Sequence, residues 1–110
     1  MHRIVVVDLG TGNLHSVAKA FEKVAPSAHV EVTSDLLRLE KADRVVLPGQ
    51  GAIGSWFKAL DTLQLRNPVL SVLSSKPVLG ICVGMQALFN RSEEDGGCEG
   101  FGLFDGEVRR

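Results

Sequence analysis

The chain has 110 residues, of which 45% are apolar and 23% charged, and its formal net charge is −1. This size and balance predict one globular domain over residues 1–110 and exclude a fibrous or disordered chain. The near-neutral charge argues against a nucleic-acid partner, and no apolar stretch approaches the roughly 18 residues that a membrane span needs.

The beginning of the chain, Met1-His2-Arg3, leads into a short apolar run and lacks the longer apolar region of a secretory signal. We therefore expect a cytoplasmic protein. Its two cysteines, Cys82 and Cys98, have neither the number nor the spacing of a disulfide framework or a zinc site. Reduced thiols and no bound metal are the expectation.

Short apolar runs alternate with helical patterns along the chain. Apolar residues recur at the spacing of one helical face over Leu14–Val24. Ser34 is predicted to cap a short helical turn that contains three leucines. Runs rich in Val, Ile and Leu and bounded by turn residues predict strands buried on both faces; these are Ile4–Asp8, His29–Thr33, Arg44–Leu47 and Pro77–Ile81.

A Gly-rich loop, Pro48–Gly54, follows the third predicted strand. Two helices are predicted next, one from Ser55 to about Leu63 and one that begins after Pro68 and ends near Ser75. After the fourth strand the sequence predicts a helix over Val83–Phe89, a polar loop over Asn90–Gly100 and a weak extended piece around Glu107-Val108. The alternation predicts an α/β fold with an open, mostly parallel sheet and helices on both faces, which binds ligands at the carboxyl ends of its strands.

The segment Gly80-Ile81-Cys82-Val83-Gly84 lies where the fourth strand gives way to a helix. It matches the glycine-flanked nucleophile elbow, with Cys in place of Ser. The two glycines let strand and helix approach closely, so that a tight turn holds the thiol in a cleft. The N–H groups at the start of the helix favour a thiolate and can hold an oxyanion. We therefore predict Cys82 as the nucleophile and the Val83 N–H as the first oxyanion donor.

A second donor must come from another loop. Pro48-Gly49-Gln50-Gly51 follows the third strand at the same edge of the sheet, and its glycines allow an amide to point inward. We predict that the Gln50 N–H is this donor. Gln86 lies one helical turn beyond Cys82 and is predicted to hydrogen-bond a polar substrate.

Three segments resemble one known family. Residues 78–89, Val-Leu-Gly-Ile-Cys-Val-Gly-Met-Gln-Ala-Leu-Phe, resemble the nucleophile motif of class I glutamine amidotransferases. The Gly-Met-Gln ending is most similar to the glutaminase subunit of imidazole glycerol phosphate synthases. Residues 8–17 resemble the opening loop of that subunit, and residues 47–52 resemble its oxyanion-strand loop, so the resemblance covers essentially the whole chain.

The resemblance implies a flavodoxin-like fold and a glutaminase that needs no cofactor. Glutamine would be hydrolysed through a cysteinyl thioester, and the ammonia would pass to a cyclase subunit of (β/α)8 fold in histidine biosynthesis. By this resemblance Asn13 lies in the loop that faces the cyclase, and Gly49, Gly51 and Gln86 bind glutamine. The Gln50 and Val83 amides form the oxyanion hole. Gln50 replaces a small apolar residue and Val83 the commonest Leu, but neither change removes a backbone N–H.

The resemblance also implies a catalytic His and Glu well beyond the nucleophile. This chain has no histidine after Cys82. We therefore expect the 110 residues to be the N-terminal part of one amidotransferase domain whose C-terminal part is missing, and to be nearly inactive alone.

Several other interpretations compete with these predictions. Cys82 could be a buried core thiol, and Gly49–Gly54 matches a dinucleotide fingerprint, although it follows the third strand instead of the first. His15 could be a base, but a solvated or interface histidine is the favoured interpretation. Cys98 is interpreted as an incidental loop thiol. Two rival functions remain: a subunit of another class I amidotransferase, or a non-enzymatic flavodoxin-like binding module with a structural cysteine.

Overall fold

The computed structural model of the chain describes residues 2–10, 14–92 and 98–108. Strands and short helices alternate through most of these ranges. Among the described helices, none combines the length and the apolar character that crossing a membrane requires. In chain order the elements are β1 (Arg3–Val7), α1 (Leu14–Val24), β2 (His29–Thr33), α2 (Leu36–Lys41), β3 (Arg44–Leu47), α3 (Ile53–Thr62), α4 (Arg66–Ser75), β4 (Val78–Gly80), α5 (Val83–Gln86), β5 (Phe89–Ser92), β6 (Cys98–Glu99) and β7 (Phe104–Val108).

The larger sheet has four parallel strands in the order β2-β1-β3-β4. The chain moves outward from β1 to β2 and then returns across β1 to β3, so the strand order reverses between β1 and β3. Leu47 at the end of β3 lies beside Gly80 at the end of β4. The loops that follow β3 and β4 therefore leave the same carboxyl edge as neighbours, which is where α/β sheets bind ligands.

Helices cover both faces of this sheet. On one face, α3 and α4 pack on alternate residues of β1 and β3, including Val5 and Leu47. On the other face, α1 packs on Val6 and its neighbours. Val6 and Leu47 are fully buried, and each such side chain stabilises the fold by about 1.5–3 kcal/mol. The two edge strands differ: β2 and β4 have no fully buried residue, and half of the Leu79 surface in β4 is exposed. The prediction that these two strands are buried on both faces is therefore wrong.

The parallel sheet with helices on both faces confirms the predicted fold class. The bounds of α1, β2 and β3 agree with the sequence predictions to the residue. Strand β1 begins one residue earlier than predicted, at Arg3, and β4 is shorter than predicted and covers Val78–Gly80.

Three predicted helix starts are wrong. The cap of α2 is Asp35, not Ser34, because the Asp35 side chain accepts the Leu37 N–H at 2.9 Å. Helix α3 begins two residues before Ser55. Helix α4 begins before Pro68, which a first helical turn tolerates because an N–H at that position has no intrahelical acceptor.

The predicted helix Val83–Phe89 and the predicted loop Asn90–Gly100 are wrong in part. Helix α5 ends at Gln86, and residues 89–92 form a strand. This strand, β5, lies between antiparallel β6 and parallel β7 in a second, three-stranded sheet. The extended piece predicted at Glu107-Val108 is confirmed as the end of β7.

The early end of α5 has a non-local cause. The returning chain donates hydrogen bonds to carbonyls that a longer helix would use: Phe101 N–H to Ala87 at 2.7 Å and Gly102 N–H to Phe89 at 3.1 Å. Gly100 makes this approach possible, because a Cβ at that position would lie 2.0 Å from the Phe89 carbonyl oxygen. Tertiary pairing therefore replaces helix propagation after one turn.

Candidate active site

Cys82 forms the bend between β4 and α5. Its backbone has φ 55° and ψ −118°, a conformation that non-glycine residues seldom adopt. Strain of this kind costs about 1–3 kcal/mol and persists where the surrounding structure enforces it. The residue is exposed, so the interpretation of Cys82 as a buried core thiol is wrong.

The two glycines that flank this bend are packed against backbone atoms. A Cβ on Gly80 would lie 2.7 Å from the Met85 Cα, and one on Gly84 would lie 1.8 Å from the Leu47 carbonyl oxygen. Neither contact is possible for a real side chain. The close approach of strand and helix, predicted from the glycine spacing, is therefore present, and it fixes the bend at Cys82.

The loop after β3 lies directly beside this bend. Gly51 has φ +86°, a left-handed conformation that glycine adopts without strain. Gly49 is buried, and a Cβ at that position would lie 3.3 Å from the Val83 Cβ. The Ile81 N–H also donates to the Leu47 carbonyl at 2.9 Å. The structure thus brings together the two loops that the sequence analysis singled out.

Of the two predicted oxyanion donors, Gln50 lies on the loop after β3 and Val83 directly follows the bend at Cys82. Val83 begins α5, where first-turn N–H groups have no intrahelical acceptor. Over the described residues, neither the Val83 N–H nor the Gln50 N–H donates to a backbone carbonyl. Because α5 is a single turn, individual N–H groups and not a long helix dipole supply the positive potential here.

Gln86 lies one turn beyond Cys82, and its N–H donates to the Cys82 carbonyl at 3.1 Å. Its side-chain Oε1 is buried and has no hydrogen-bond partner in the described part of the protein. A buried unpaired amide oxygen costs about 1–3 kcal/mol, and a bound polar molecule would remove that cost.

The remaining candidate residues lie on other elements or outside the described residues. His15 is exposed on α1, a helix that packs on the face formed by Ile4, Val6 and Val46. Cys98 begins β6, where it lies opposite Ser92. Asn13 lies outside the described residues. Within residues 2–10, 14–92 and 98–108, no three His, Cys, Asp or Glu side chains are grouped so that they could hold a metal ion.

Trp56 contacts the candidate site, although no sequence motif indicates this residue. This residue is buried on α3, and its indole Nε1 donates to the Pro48 carbonyl at 2.9 Å. The helical spacing of Ile53, Trp56 and Leu60 indicates burial, and a buried indole N–H usually has an acceptor. The sequence therefore predicts that the Trp56 indole N–H has a hydrogen-bond acceptor, but it does not indicate that this acceptor is the Pro48 carbonyl.

A strained, exposed cysteine between close-packed glycines, at the turn from a parallel strand to a helix, is the arrangement of a nucleophile elbow. The family model described as "Glutamine amidotransferase class-I" matches residues 5–100 of this chain. The chain therefore belongs to the class I glutamine amidotransferase family.

Curated relatives with one shared name match nearly the whole chain. Proteins named "Imidazole glycerol phosphate synthase subunit HisH" are 50% identical over 110 residues in Nitrosospira multiformis and 50% over 109 in Pseudomonas savastanoi pv. phaseolicola. The protein of this name from Thiobacillus denitrificans is 51% identical over 108 residues. These matches cover 100%, 99% and 97% of this chain but only 51%, 51% and 46% of the relatives. The chain thus spans about half the length of the curated relatives it matches.

Proposed function

We propose that this chain carries the nucleophile and the oxyanion hole of a glutaminase. The observation that carries the proposal is the backbone at Cys82, with φ 55° and ψ −118° on an exposed residue. A thiol needs no such strain to fill space in a core. The strain is explained if the bend presents the sulfur to a substrate beside backbone amides.

In the proposed reaction the Cys82 sulfur attacks the side-chain carbonyl carbon of glutamine. The C=O electron pair moves to oxygen, and the Val83 and Gln50 N–H groups donate to the resulting oxyanion. Collapse of this intermediate breaks the C–N bond and releases ammonia after the nitrogen gains a proton. Water then cleaves the thioester to give glutamate and the free thiol.

The residues that hold glutamine are proposed from their positions around Cys82. The unpaired Gln86 Oε1 can accept a hydrogen bond from a polar group of the substrate. Gly51 has nothing within 4 Å of an added Cβ, so its backbone on the facing loop lets a ligand approach closely. We propose that the backbone of Gly49, two residues earlier, also takes part in binding glutamine.

The proton transfers need a base, and all three histidines of this chain precede Cys82 in sequence. By resemblance to the family, we propose that a His and a Glu of the longer protein complete the triad. We therefore expect glutaminase activity from the full-length protein and almost none from these 110 residues.

The relatives' shared name indicates a subunit of a synthase. We propose that the ammonia made here is used by a partner subunit, a cyclase of (β/α)8 fold, in histidine biosynthesis. By resemblance to the family, we propose that Asn13 takes part in that interface. A subunit of a different class I synthase is the alternative, and co-purification with one synthase or the other separates them.

The test is labelling by an electrophilic glutamine analogue, with the full-length protein and its partner. We expect one adduct, on Cys82, and loss of glutaminase activity in proportion to it. Cys82→Ser should abolish both, and the matched control Cys98→Ser should retain both. Labelling elsewhere with activity intact would overturn the proposal and favour a binding module with a structural cysteine.

A further inference from the structure

Trp56 contacts the loop after β3, here called the oxyanion loop and defined as Pro48–Gly51. The indole is 1% exposed, and its Nε1 donates to the Pro48 carbonyl at 2.9 Å. Burial alone would make Trp56 a core residue like Leu60 on the same helix face. The hydrogen bond is different in kind, because it joins the core to a loop that has no regular secondary structure.

The indole also touches the backbone of this loop. A Cβ on Gly49 would lie 2.5 Å from the Trp56 Cδ1 and 2.6 Å from Nε1, so the backbone at Gly49 packs directly against this edge of the ring. The same Cβ would lie 3.3 Å from the Val83 Cβ. Gly49 is thus held between the indole and the first residue of α5.

The ring itself is fixed by two phenylalanines. Trp56 meets Phe57 edge-on at 5.1 Å and Phe101 at 6.1 Å between ring centroids. Phe57 and Phe101 also meet each other at 5.1 Å. Edge-to-face packing is a geometry that aromatic rings prefer, and it adds to the effect of burial. The indole is therefore a rigid support for the loop.

We infer that Trp56 is a positioning residue that sets the orientation of the Gln50 amide through the Pro48 carbonyl and Gly49. This inference rests on the proposed function. The hydrogen bond fixes the plane of the peptide that precedes Gly49, and the indole limits rotation about Gly49 itself. Gln50 has a glycine on each side, so without this support its N–H would have wide rotational freedom. Trp56 acts through the loop and does not touch substrate.

The inference predicts a particular kinetic defect. Trp56→Phe removes the N–H donor and keeps an aromatic ring. We expect kcat for glutamine hydrolysis to fall about tenfold, less than the 10²–10³ that follows from deleting an oxyanion donor outright. KM should change by less than about twofold, because an oxyanion donor acts on the transition state and not on bound substrate.

The measurement uses full-length protein with its partner. Leu60→Val, one turn along the same helix face, is the matched control: it should lower the melting temperature and leave kcat unchanged. A second variant replaces Trp56 by benzothienylalanine, which puts sulfur in place of the N–H, keeps the ring shape, and should lower kcat in the same way. The inference is overturned if either Trp56 variant folds and keeps the wild-type kcat, or if KM carries the loss. Labelling of wild-type Cys82 by the glutamine analogue then separates two outcomes. If Cys82 is labelled, the proposed function stands and only the positioning role of Trp56 fails. If Cys82 is not labelled, both fail.

Discussion

Gly84→Ala tests the close contact that fixes the nucleophile bend. Gly84 lies in the helix α5, where replacing Gly by Ala would ordinarily stabilise the protein by about 1 kcal/mol. In this structure the added Cβ would lie 1.8 Å from the Leu47 carbonyl oxygen and 2.7 Å from the Leu47 carbonyl carbon. Both atoms belong to the backbone of a buried strand and have no rotamer by which to move away.

The contact distances decide the sign of the effect. Non-bonded carbon atoms prefer separations of about 3.5–4.0 Å, so α5 and β3 would have to move apart by about 1 Å. Overpacking of this kind costs about 1–3 kcal/mol or more. The hydrogen bond from the Ile81 N–H to the Leu47 carbonyl would also be lost, at a cost of about 1 kcal/mol. After the gain in helix propensity is subtracted, we expect the free energy of unfolding to fall by about 1–3 kcal/mol.

Urea unfolding followed by circular dichroism measures this change. Gly10→Ala is the control, because Gly10 has φ +78° but nothing within 4 Å of an added Cβ. Its cost should be the left-handed strain alone, about 1–2 kcal/mol. A Gly84→Ala protein as stable as the wild type would refute the close packing of α5 on β3, and with it the explanation of the Cys82 backbone.

Two further predictions concern side chains. Gln86→Met should raise the KM for glutamine about tenfold, because one hydrogen bond to the substrate is lost. It should also raise the free energy of unfolding by about 1 kcal/mol, because the buried Oε1 has no partner. Steady-state kinetics and urea unfolding measure the two effects, and an unchanged KM would contradict the assignment of Gln86 to glutamine binding. Arg66 donates to Asp61 at 2.6 Å and 2.9 Å, and this hydrogen bond lowers the pKa of Asp61 from 3.8. The contribution of Asp61 to stability is therefore fully present above pH 3.8 and is lost as the pH falls through the lowered pKa. Asp61→Asn should therefore lower the melting temperature slightly at neutral pH and leave it unchanged in strong acid. An equal deficit at both pH values would contradict this linkage.

Much of the first sheet could be predicted from local pattern. Helix α1 has an apolar stripe bounded by polar residues, and β2 and β3 are short runs between turn residues, so their limits coincide with changes in sequence character. The second sheet could not be predicted in this way. Strand β5, Phe89-Asn90-Arg91-Ser92, has little strand character, and it forms because a distant segment pairs with it.

In the candidate site, too, some features follow from local sequence and others depend on contacts between distant segments. Glycine spacing alone predicts a bend at Cys82, because close approach needs those glycines wherever the partners lie. The identity of the partner, the Leu47 carbonyl for Gly84, depends on the order of strands in the sheet. The Trp56 hydrogen bond to Pro48 depends on the packing of α3 and is not encoded in any local motif.

The most direct test compares the labelling rates of Cys82 and Cys98 by the glutamine analogue in the folded protein and in urea. If the folded bend and its amides create the reactivity, Cys82 should react far faster than Cys98 in the native protein and no faster once the chain is unfolded. A native Cys82 that reacts no faster than Cys98 would contradict the account.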